Sequence, residues 1–313
     1  MTRALVVGGR GQDGTLLLAR LRADGCEAEG VDRDDPRWDA GDPDAASRIL
    51  DALRPDEVYY LAAIHHSAED RASLGGRTLY AESHRVHVEG LLNLLEAIRL
   101  RRSPTRVFYA ASSLIFGEPA AAPQSEATPF APVCIYGITK ATGVACCRFY
   151  RATAGVHASV GILYTHESPL RSADFVSQRI VRGAVEIKQG RRSQLVLGNL
   201  SAVNDWGWAE DTVDAMVRIV RLDEADDFVV ATGEAHTVAD FVQAVFAHAG
   251  LDWKRYVVED PGLVARRRPP LVGDASRLRA RTGWTPTVGF ERMAAALYDA
   301  AFGEISAATR QTS

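Results

Sequence analysis

The chain alternates short apolar runs with longer stretches in which apolar residues recur every third or fourth position. Short apolar runs predict buried strands, and the longer periodic stretches predict amphipathic helices. The strands are expected at residues 4–7, 27–31, 57–61, 106–110, 159–163 and 228–231. The helices are expected at residues 15–24, 45–53, 83–100 and 136–153. This alternation favours an α/β fold, in which a doubly wound parallel sheet is covered by helices on both faces.

The regular alternation stops between Thr165 and Asn204, and again beyond Gly233. The break predicts two structural units. The first is the sheet domain, residues 1–164, with a returning segment near 205–233. The second is a smaller mixed C-terminal lobe built from residues 165–204 and 234–313. Such sheets bind ligands beyond the carboxyl ends of their strands, so functional side chains are expected at that edge.

A glycine-rich turn follows the first predicted strand. Gly8, Gly11 and Gly14 lead into the first helix, where backbone N–H groups can bind a pyrophosphate at the helix N-terminus. Glycines at such a turn can also serve only to permit a tight bend, so the motif alone is weak. Asp32 ends the second strand, 18 residues past Gly14, where a carboxylate can bind an adenosine ribose and repel a 2′-phosphate. This Rossmann pattern favours NAD, whereas Arg33 leaves NADP open as the alternative.

Three polar side chains predict proton chemistry at the same edge of the sheet. Tyr136 and Lys140 are four residues apart and therefore share a helix face. A lysine ammonium beside the phenol should lower the pKa of the tyrosine from about 10 and make it a useful proton acceptor. Ser112 follows the fourth strand, and its hydroxyl can bind a substrate oxygen. Each feature alone is common, as a helix-surface pair or a turn serine, but together they favour a hydride-transfer site.

Composition and charge narrow the class of protein. The chain has 313 residues, 47% hydrophobic and 24% charged, and a net charge of −4, so we expect a globular protein that does not bind nucleic acid. The first strand begins within a few residues of Met1 and no apolar run approaches 18 residues, so we expect a cytoplasmic protein that does not associate with membranes. Four cysteines without CxxC spacing predict reduced thiols, and the scattered histidines predict no metal site.

Several longer segments resemble those of a known enzyme family. They are residues 9–14 (GRGQDG), 55–63 (PDEVYYLAA), 162–169 (ILYTHESP), 197–200 (LGNL), 205–207 (DWG), 231–238 (ATGEAHTV) and 283–286 (GWTP). Over nearly its whole length the chain resembles the extended short-chain dehydrogenase/reductases that modify nucleotide sugars, and most closely the GDP-mannose 4,6-dehydratases. The resemblance implies a nicotinamide cofactor on the sheet and a nucleotide-diphosphate sugar, expected to be GDP-linked, in the C-terminal lobe. It also implies a homodimer or homotetramer whose dimer contact uses the predicted helices at 83–100 and 136–153.

The motifs and the resemblance together imply roles for individual residues. The expected catalytic residues are Ser112, Tyr136 and Lys140. The expected cofactor-binding residues are Gly8, Gly11, Gln12, Asp13, Gly14, Asp32, Arg33, Asp42, Leu61, Ala62, Ala63, Tyr136, Lys140, Leu163 and His166. The expected substrate-binding residues are His65, Ser113, Thr165, Val176, Arg179, Leu197, Gly198, Asn204 and Arg266.

The chain departs from the family pattern at three positions that bear on chemistry. The family has a glutamate two residues after the catalytic serine or threonine, and this chain has Leu114. In a 4,6-dehydratase that glutamate serves the elimination across C5 and C6, and leucine can neither remove nor supply a proton. Thr165 stands where the family usually has asparagine, and Asn204 where it usually has arginine. Arginines that could replace the lost phosphate contact, or simply form a solvated surface, are Arg171, Arg179, Arg266, Arg267 and Arg268.

These departures favour a 4-epimerase or 4-ketoreductase that transfers hydride at C4 of a GDP-linked hexose or heptose. Ser112, Tyr136 and Lys140 suffice for reversible hydride transfer, and neither reaction needs the elimination glutamate. One alternative is a true 4,6-dehydratase whose acid and base come from the loop after the third strand, with the candidates His65, His66, Glu69 and Asp70. Another is a nucleotide-sugar-binding protein without catalysis, against which the retained Ser112, Tyr136 and Lys140 argue.

Overall fold

The structure is a computed structural model that describes residues 1–64, 76–263 and 269–311. The predicted site residues outside this part of the chain are His65, His66, Glu69, Asp70, Arg266, Arg267 and Arg268. The strands are β1 (Arg3–Val7), β2 (Glu27–Val31), β3 (Glu57–Tyr60), β4 (Arg106–Ser112), β5 (Ala158–Leu163), β6 (Thr165–Glu167), β7 (Leu195–Leu197), β8 (Val203–Asn204), β9 (Trp206–Trp208), β10 (Asp227–Val230), β11 (His236–Thr237) and β12 (Val257–Glu259). The α-helices are α1 (Gln12–Ala23), α2 (Pro43–Leu53), α3 (Gly76–His84), α4 (Gly90–Arg101), α5 (Ile135–Ala154), α6 (Val176–Lys188), α7 (Ala209–Val220), α8 (Val238–His248), α9 (Ser276–Thr282) and α10 (Phe290–Gln311).

Within the described residues, six strands form one parallel sheet in the order β10-β5-β4-β3-β1-β2. These are the six predicted strands, and their ends differ from the predicted ones by at most two residues. Val7 pairs with Val31 on one side and with Tyr60 on the other, so β1 lies between β2 and β3. Between β2 and β3 the chain crosses to the opposite side of β1. The crevice beyond the carboxyl ends of β1 and β3 is where such sheets bind ligands.

Helices cover both faces of the sheet because alternate strand residues point to opposite faces. On β1, Leu5 and Val7 join an apolar cluster with α2, α4 and α5. Ala4 and Val6 join a second cluster with α1, α7 and α9. All four side chains are at most 3% exposed, and burying a valine or leucine contributes about 1.5–3 kcal/mol. The predicted doubly wound α/β fold is therefore confirmed.

The helix predicted at residues 83–100 consists of three pieces. Helix α3 ends at His84, a π-turn spans Arg85–Glu89, and α4 begins at Gly90. The π-turn adds a residue to one turn and leaves both His87 and Val88 at most 2% exposed. The other predicted helices are confirmed by α1, α2 and α5.

A third apolar cluster lies in the C-terminal half of the chain. It is built mainly from α6, α8 and α10, beside the parallel pair of β7 and β12. Strands β8 and β11 form an antiparallel pair, so this part of the chain has the mixed character that the sequence predicted. Strand β6 follows β5 directly, beyond the carboxyl end of the sheet. Its Thr165 pairs with Trp206 of β9. Among the described helices, none is long and apolar enough to cross a membrane.

Candidate active site

A cavity of about 410 Å³ opens at the carboxyl ends of the sheet strands. The predicted site residues that line it are Asp13, Leu61, Ala63, Ser112, Ser113, Tyr136, Lys140, Leu163, Thr165, His166, Val176, Leu197, Gly198 and Asn204. They come from the sheet edge and from the C-terminal half, so the cavity has one wall from each. Arg179 is not in the cavity wall, and its guanidinium donates to the Val196 carbonyl at 3.3 Å.

The glycine turn between β1 and α1 is shaped by close backbone packing. Gly8 has a φ of +94° and donates its N–H to the Val31 carbonyl at 2.8 Å. A Cβ at Gly14 would overlap the Gly8 carbonyl oxygen, so only glycine fits there. At Gly11 a Cβ would meet, among described atoms within 4 Å, only that carbonyl oxygen, at 3.5 Å. The turn therefore leaves an open cradle at the N-terminus of α1, an arrangement suited to a pyrophosphate.

Asp32 lies against this glycine turn. Its two carboxylate oxygens accept hydrogen bonds from the Arg10 N–H at 3.2 and 3.1 Å. Arg33 points away: its side chain is 93% exposed and lies 3.8 Å from Asp34. The carboxylate, rather than the neighbouring guanidinium, thus faces the turn.

Two other predicted cofactor residues take part in local packing. The Asp42 carboxylate caps α2, where it accepts from the Asp44 N–H at 2.9 Å and from Arg48 at 2.7 Å. The backbone of Ala62 packs on the glycine turn so closely that a Cβ at Gly8 would lie 2.8 Å from the Ala62 nitrogen. Asp42 therefore stabilises the start of a helix, and Ala62 shapes the turn itself.

Tyr136 and Lys140 both line the cavity, on consecutive turns of α5. Lys140 Nζ donates to the Ala110 carbonyl at 2.7 Å and lies 5.8 Å from the centroid of the Tyr136 ring. Burial lowers the pKa of Lys140 to about 7, although the charge of Asp13 opposes this. Burial raises the pKa of Tyr136 above its usual value, and the charge of Arg171 offsets only part of the rise. The expectation that the lysine holds the pKa of Tyr136 below 10 is therefore wrong, because desolvation of the phenol dominates.

Ser112 and Leu114 bracket the point where β4 enters a short 3₁₀ turn. The Ser112 hydroxyl oxygen accepts from the Leu114 N–H at 3.3 Å, which leaves the hydroxyl proton available to donate. The Leu114 side chain lines the cavity and packs against the apolar cluster of α2, α4 and α5. A Cβ at Gly137 would lie 2.5 Å from the Leu114 carbonyl oxygen, so the first turn of α5 packs directly on this segment. Leu114 therefore lies in the cavity wall against the first turn of α5, which carries Tyr136.

Asp13 and His166 form a buried ion pair at the cavity wall. His166 Nδ1 lies 2.7 Å from the Tyr164 carbonyl, so that nitrogen carries a proton, and Nε2 lies 3.0 Å from both Asp13 oxygens. Burial penalises both charges, but mutual attraction lowers the pKa of Asp13 to about 2 and raises the pKa of His166. Gln12 reinforces the pair: its amide donates to Asp13 and to the His166 carbonyl, and its oxygen accepts from Ser168.

Glu167 is a cavity-lining residue that the sequence analysis did not single out. Its side chain is only 2% exposed, accepts from the Ser177 hydroxyl at 2.7 Å and lies 3.8 Å from Arg171 Nε. Burial raises the pKa of Glu167, and the charge of Arg171 offsets part of that rise. Arg171 also lines the cavity and stacks on the Phe175 ring, 3.7 Å from its centroid. The only signal for Glu167 was its place in the segment 162–169, which served there as a family marker.

The two substituted family positions occupy the wall formed by the C-terminal half. Thr165 lies on β6, and Asn204 lies on β8, where it pairs with His236 of β11. Val176 is the first residue of α6, and Leu197 is the last residue of β7. This wall combines apolar surface with neutral polar groups, which suits a nucleobase or a sugar ring.

The chain is similar to known proteins in sequence over most of its length. A family model described as GDP-mannose 4,6 dehydratase matches residues 36–297. GDP-mannose 4,6 dehydratase 1 of Arabidopsis thaliana is 36% identical, in an alignment that covers 95% of this chain and 88% of that protein. GDP-mannose 4,6-dehydratase of Vibrio cholerae is 32% identical and covers 94% of this chain and 92% of that protein.

Two solved structures share the fold. RMD from Pseudomonas aeruginosa complexed with NADPH has a TM-score of 0.84 at 24% identity, over 97% of this chain and 100% of that chain. The UDP-glucose 4-epimerase of Thermus thermophilus in complex with NAD has a TM-score of 0.81 at 24% identity, over 96% of this chain and 99% of that chain. Fold and sequence together define the class, the extended short-chain dehydrogenase/reductase enzymes. Within that class, the chain belongs to the GDP-mannose 4,6 dehydratase family.

Proposed function

We propose that this enzyme transfers hydride at C4 of a nucleotide-diphosphate sugar, as a 4-epimerase or a 4-ketoreductase, with a GDP-linked sugar as substrate. One observation carries the proposal. Ser112, Tyr136 and Lys140 line a single cavity, and Leu114 lines it beside them where the family has a glutamate. The two sequence relatives named above are GDP-mannose 4,6-dehydratases, so the proposal keeps the family's hydride transfer and removes its elimination step.

The residues around the glycine turn fit a nicotinamide dinucleotide. The open cradle at Gly11 suits the pyrophosphate, and Asp32 faces the turn with a carboxylate that suits ribose hydroxyls and repels a 2′-phosphate. We therefore infer NAD as the preferred cofactor, with NADP as the alternative. When bound, the nicotinamide supplies or accepts the hydride.

Tyr136 is the proposed proton carrier. Because burial keeps its pKa high, the phenol is protonated at neutral pH and can donate its proton to the C4 oxygen of a ketone as C4 gains hydride. The reverse direction starts from the tyrosinate that this step leaves, whose oxygen takes the proton of the C4 hydroxyl and becomes the phenol again. Ser112 can donate a hydrogen bond to the same sugar oxygen, since its own oxygen is already engaged by the Leu114 N–H.

A second candidate function, 4,6-dehydration, is favoured by Glu167. Among described cavity-lining residues the carboxyl groups are those of Asp13 and Glu167. Asp13 is held by His166 and Gln12, so it is a poor proton carrier. Glu167 is buried and its pKa is raised above the ordinary value, the direction that suits a carboxyl group acting as a proton donor. In that case Glu167 would serve the elimination in place of the family glutamate that is absent at position 114.

Product analysis separates the two functions. The purified protein is offered GDP-mannose with NAD, and GDP-4-keto-6-deoxymannose with NADH, with Tyr136→Phe as the control for contaminating activity. We expect one of two results. A 4-ketoreductase adds two hydrogens to the ketosugar. A 4-epimerase leaves the mass of the sugar unchanged and alters its NMR spectrum, because C4 is inverted. Loss of water from GDP-mannose, with solvent deuterium incorporated at C5, would instead establish the dehydratase.

We further infer that the enzyme is a homodimer that pairs through α5 and through the helical segment of α3, the π-turn and α4, which contains the helix predicted at 83–100. Ile138 and Phe149 are 40% and 60% exposed and stand 11 residues apart on α5, three turns along one face. Tyr80 on α3 is 44% exposed. Light scattering of the intact protein should give twice the chain mass, and Phe149→Glu should shift it toward the monomer, whereas Phe302→Glu on α10 should not.

A further inference from the structure

His87 lies behind Tyr136, in the π-turn between α3 and α4. Its side chain is fully buried, and its ring stands edge-on to the Tyr136 ring, with centroids 5.2 Å apart and planes at 82°. Tyr136 is in the cavity wall, whereas His87 is in the layer behind it. Any effect of His87 on the reaction must therefore pass through its neighbours.

The hydrogen bonds of His87 fix its proton. The backbone N–H of Ile64 donates to Nε2 at 2.9 Å, and because an N–H can only donate, Nε2 carries no proton. The imidazole is therefore neutral, with its proton on Nδ1. Nδ1 lies 2.7 Å from Thr139 Oγ1 and donates to it. The Thr139 hydroxyl in turn lies 3.0 and 3.1 Å from the Ile135 and Tyr136 carbonyls and donates within the helix.

The π-turn that carries His87 is held by the sheet beneath it. The Tyr60 hydroxyl donates to the Val86 carbonyl at 2.5 Å, and the Tyr109 hydroxyl donates to the His87 carbonyl at 3.4 Å. Burial raises the pKa of both tyrosines, so both hydroxyls keep their protons. The two tyrosine hydroxyls thus bind the backbone of the π-turn to the sheet. The backbone that carries the imidazole is therefore held by β3 and β4.

We propose that His87 is a positioning residue for Tyr136. It bridges the segment after β3, which begins with the cavity residues Leu61 and Ala63, to the first turns of α5, and its ring edge supports the phenol. The proposal rests on the proposed role of Tyr136 in proton transfer. Imidazole suits the task because it presents a donor and an acceptor on opposite sides of one rigid ring. Loss of such support misplaces a reacting group, and a misplacement of about 1 Å can cost about a hundredfold in rate.

Substitutions at both ends of the bridge test it. His87→Asn keeps a donor near Nδ1 but loses the bond to Ile64, His87→Gln keeps an acceptor near Nε2 but loses the bond to Thr139, and His87→Met loses both. Thr139→Ser keeps the hydroxyl and Thr139→Val removes it. His157→Gln is the matched control, because His157 is a half-buried histidine whose Nε2 bonds the Leu222 carbonyl at 2.9 Å, outside the cavity wall.

Turnover of GDP-4-keto-6-deoxymannose with NADH is the readout, together with the thermal unfolding midpoint. We expect His87→Met and Thr139→Val to lower kcat by about ten- to a hundredfold while KM for NADH stays within about threefold. The Asn and Gln variants should fall between His87→Met and the unaltered enzyme, and Thr139→Ser and His157→Gln should match the unaltered enzyme. A folded His87→Met variant with unchanged kcat would overturn the proposal. A change in KM without a fall in kcat would overturn it as well.

The histidine tautomer gives a second measurement that needs no substrate. In protein labelled with ¹⁵N-histidine, with His87→Gln used for assignment, the ring nitrogens of His87 should show the neutral Nδ1–H form. An Nε2–H tautomer or an imidazolium would overturn the bridge whether or not any sugar is turned over. If the unaltered protein converts neither GDP-mannose with NAD nor the ketosugar with NADH, the proposed function fails while the tautomer still tests the bridge, so the two failures are distinguishable.

Discussion

His166 Nε2 lies 3.0 Å from both carboxylate oxygens of Asp13, although 153 residues separate the two in the chain. Asp13 is in the first turn of α1, directly after the glycine turn, and His166 is in β6, the first strand beyond the sheet. The ion pair therefore ties the candidate cofactor cradle to the wall of the cavity formed by the C-terminal half. Both groups are more than three-quarters buried, so the pair is weakly screened by solvent.

The ion pair predicts how stability changes with pH. The folded pKa of His166 is raised, so its contribution is complete below about pH 6.5, the unfolded value, and is lost as pH rises through the folded pKa. The folded pKa of Asp13 is lowered to about 2, so its contribution is present above the ordinary value of 3.8 and is lost as pH falls toward 2. His166→Gln should therefore cost about 3 kcal/mol near pH 5.5 and less at about pH 9.

Urea unfolding of the unaltered protein and of His166→Gln at both pH values measures this difference. At each pH, the free energy of unfolding of the variant is subtracted from that of the unaltered protein. The difference is free of the contribution of Lys140, which is common to both. That contribution makes stability rise with pH above about 7, because the folded pKa of Lys140 is lowered. Asp13→Asn and the double variant complete a cycle, in which the second substitution should cost little once the first is made. Equal losses at both pH values, or additive losses in the cycle, would show that the pair is not ionised.

Tyr136→Phe should abolish nearly all turnover and leave NAD(H) binding close to that of the unaltered protein. The substitution keeps the ring that packs against His87 and removes only the proton carrier. General acid–base catalysis is worth about a hundred- to ten-thousandfold, so kcat should fall by that factor. Lys140→Ala should damage both turnover and NAD(H) binding. Stopped-flow measurement of hydride transfer checks both variants, and a Tyr136→Phe rate above about a tenth of the original removes the phenol from the mechanism.

Asp32 should give NAD(H) tighter binding than NADP(H). Asp32→Ala and Asp32→Asn should narrow the difference, because each removes the negative charge that opposes a 2′-phosphate. Arg33→Ala is the control and should change neither affinity much, since that side chain is 93% exposed and lies beside Asp34. Fluorescence titration with NADH and NADPH makes the measurement. Equal or tighter binding of NADPH by the unaltered protein would show that the carboxylate does not select the cofactor.

Leu114→Glu should introduce or raise 4,6-dehydration of GDP-mannose if the remaining geometry is that of the dehydratases. Because Leu114 packs against the core as well as lining the cavity, burying a polar group there should also lower stability by about 1–3 kcal/mol. Leu114→Gln is the matched control, since it has similar size and no acid–base function. The assay is water loss by mass spectrometry with deuterium uptake at C5. Efficient dehydration by the unaltered protein would contradict the prediction and direct attention to Glu167→Gln.

Local sequence patterns were enough to predict the six strands of the sheet, the glycine turn and the edge at which Ser112, Tyr136 and Lys140 meet. These features depend on local patterns: an apolar run makes a buried strand, four residues make one helical turn, and parallel strands end at a common edge. The resemblance of longer segments to a known family predicted further residues that bind cofactor and substrate. Most of these residues line the same cavity. The helices of the C-terminal half were not predicted individually, because that stretch lacks the strict alternation on which the other predictions relied.

The tertiary structure alone decided which groups face one another and how deeply they are buried. Asp13 and His166 meet across the fold, Glu167 enters the cavity wall, and His87 bridges Ile64 to Thr139. It also reversed the expected pKa of Tyr136, since the spacing of Tyr136 and Lys140 gives their proximity but not their desolvation. How deeply a group is buried depends on every element that packs around it. Local periodicity can therefore place a tyrosine on a helix face, but only the assembled fold fixes the energy of its proton.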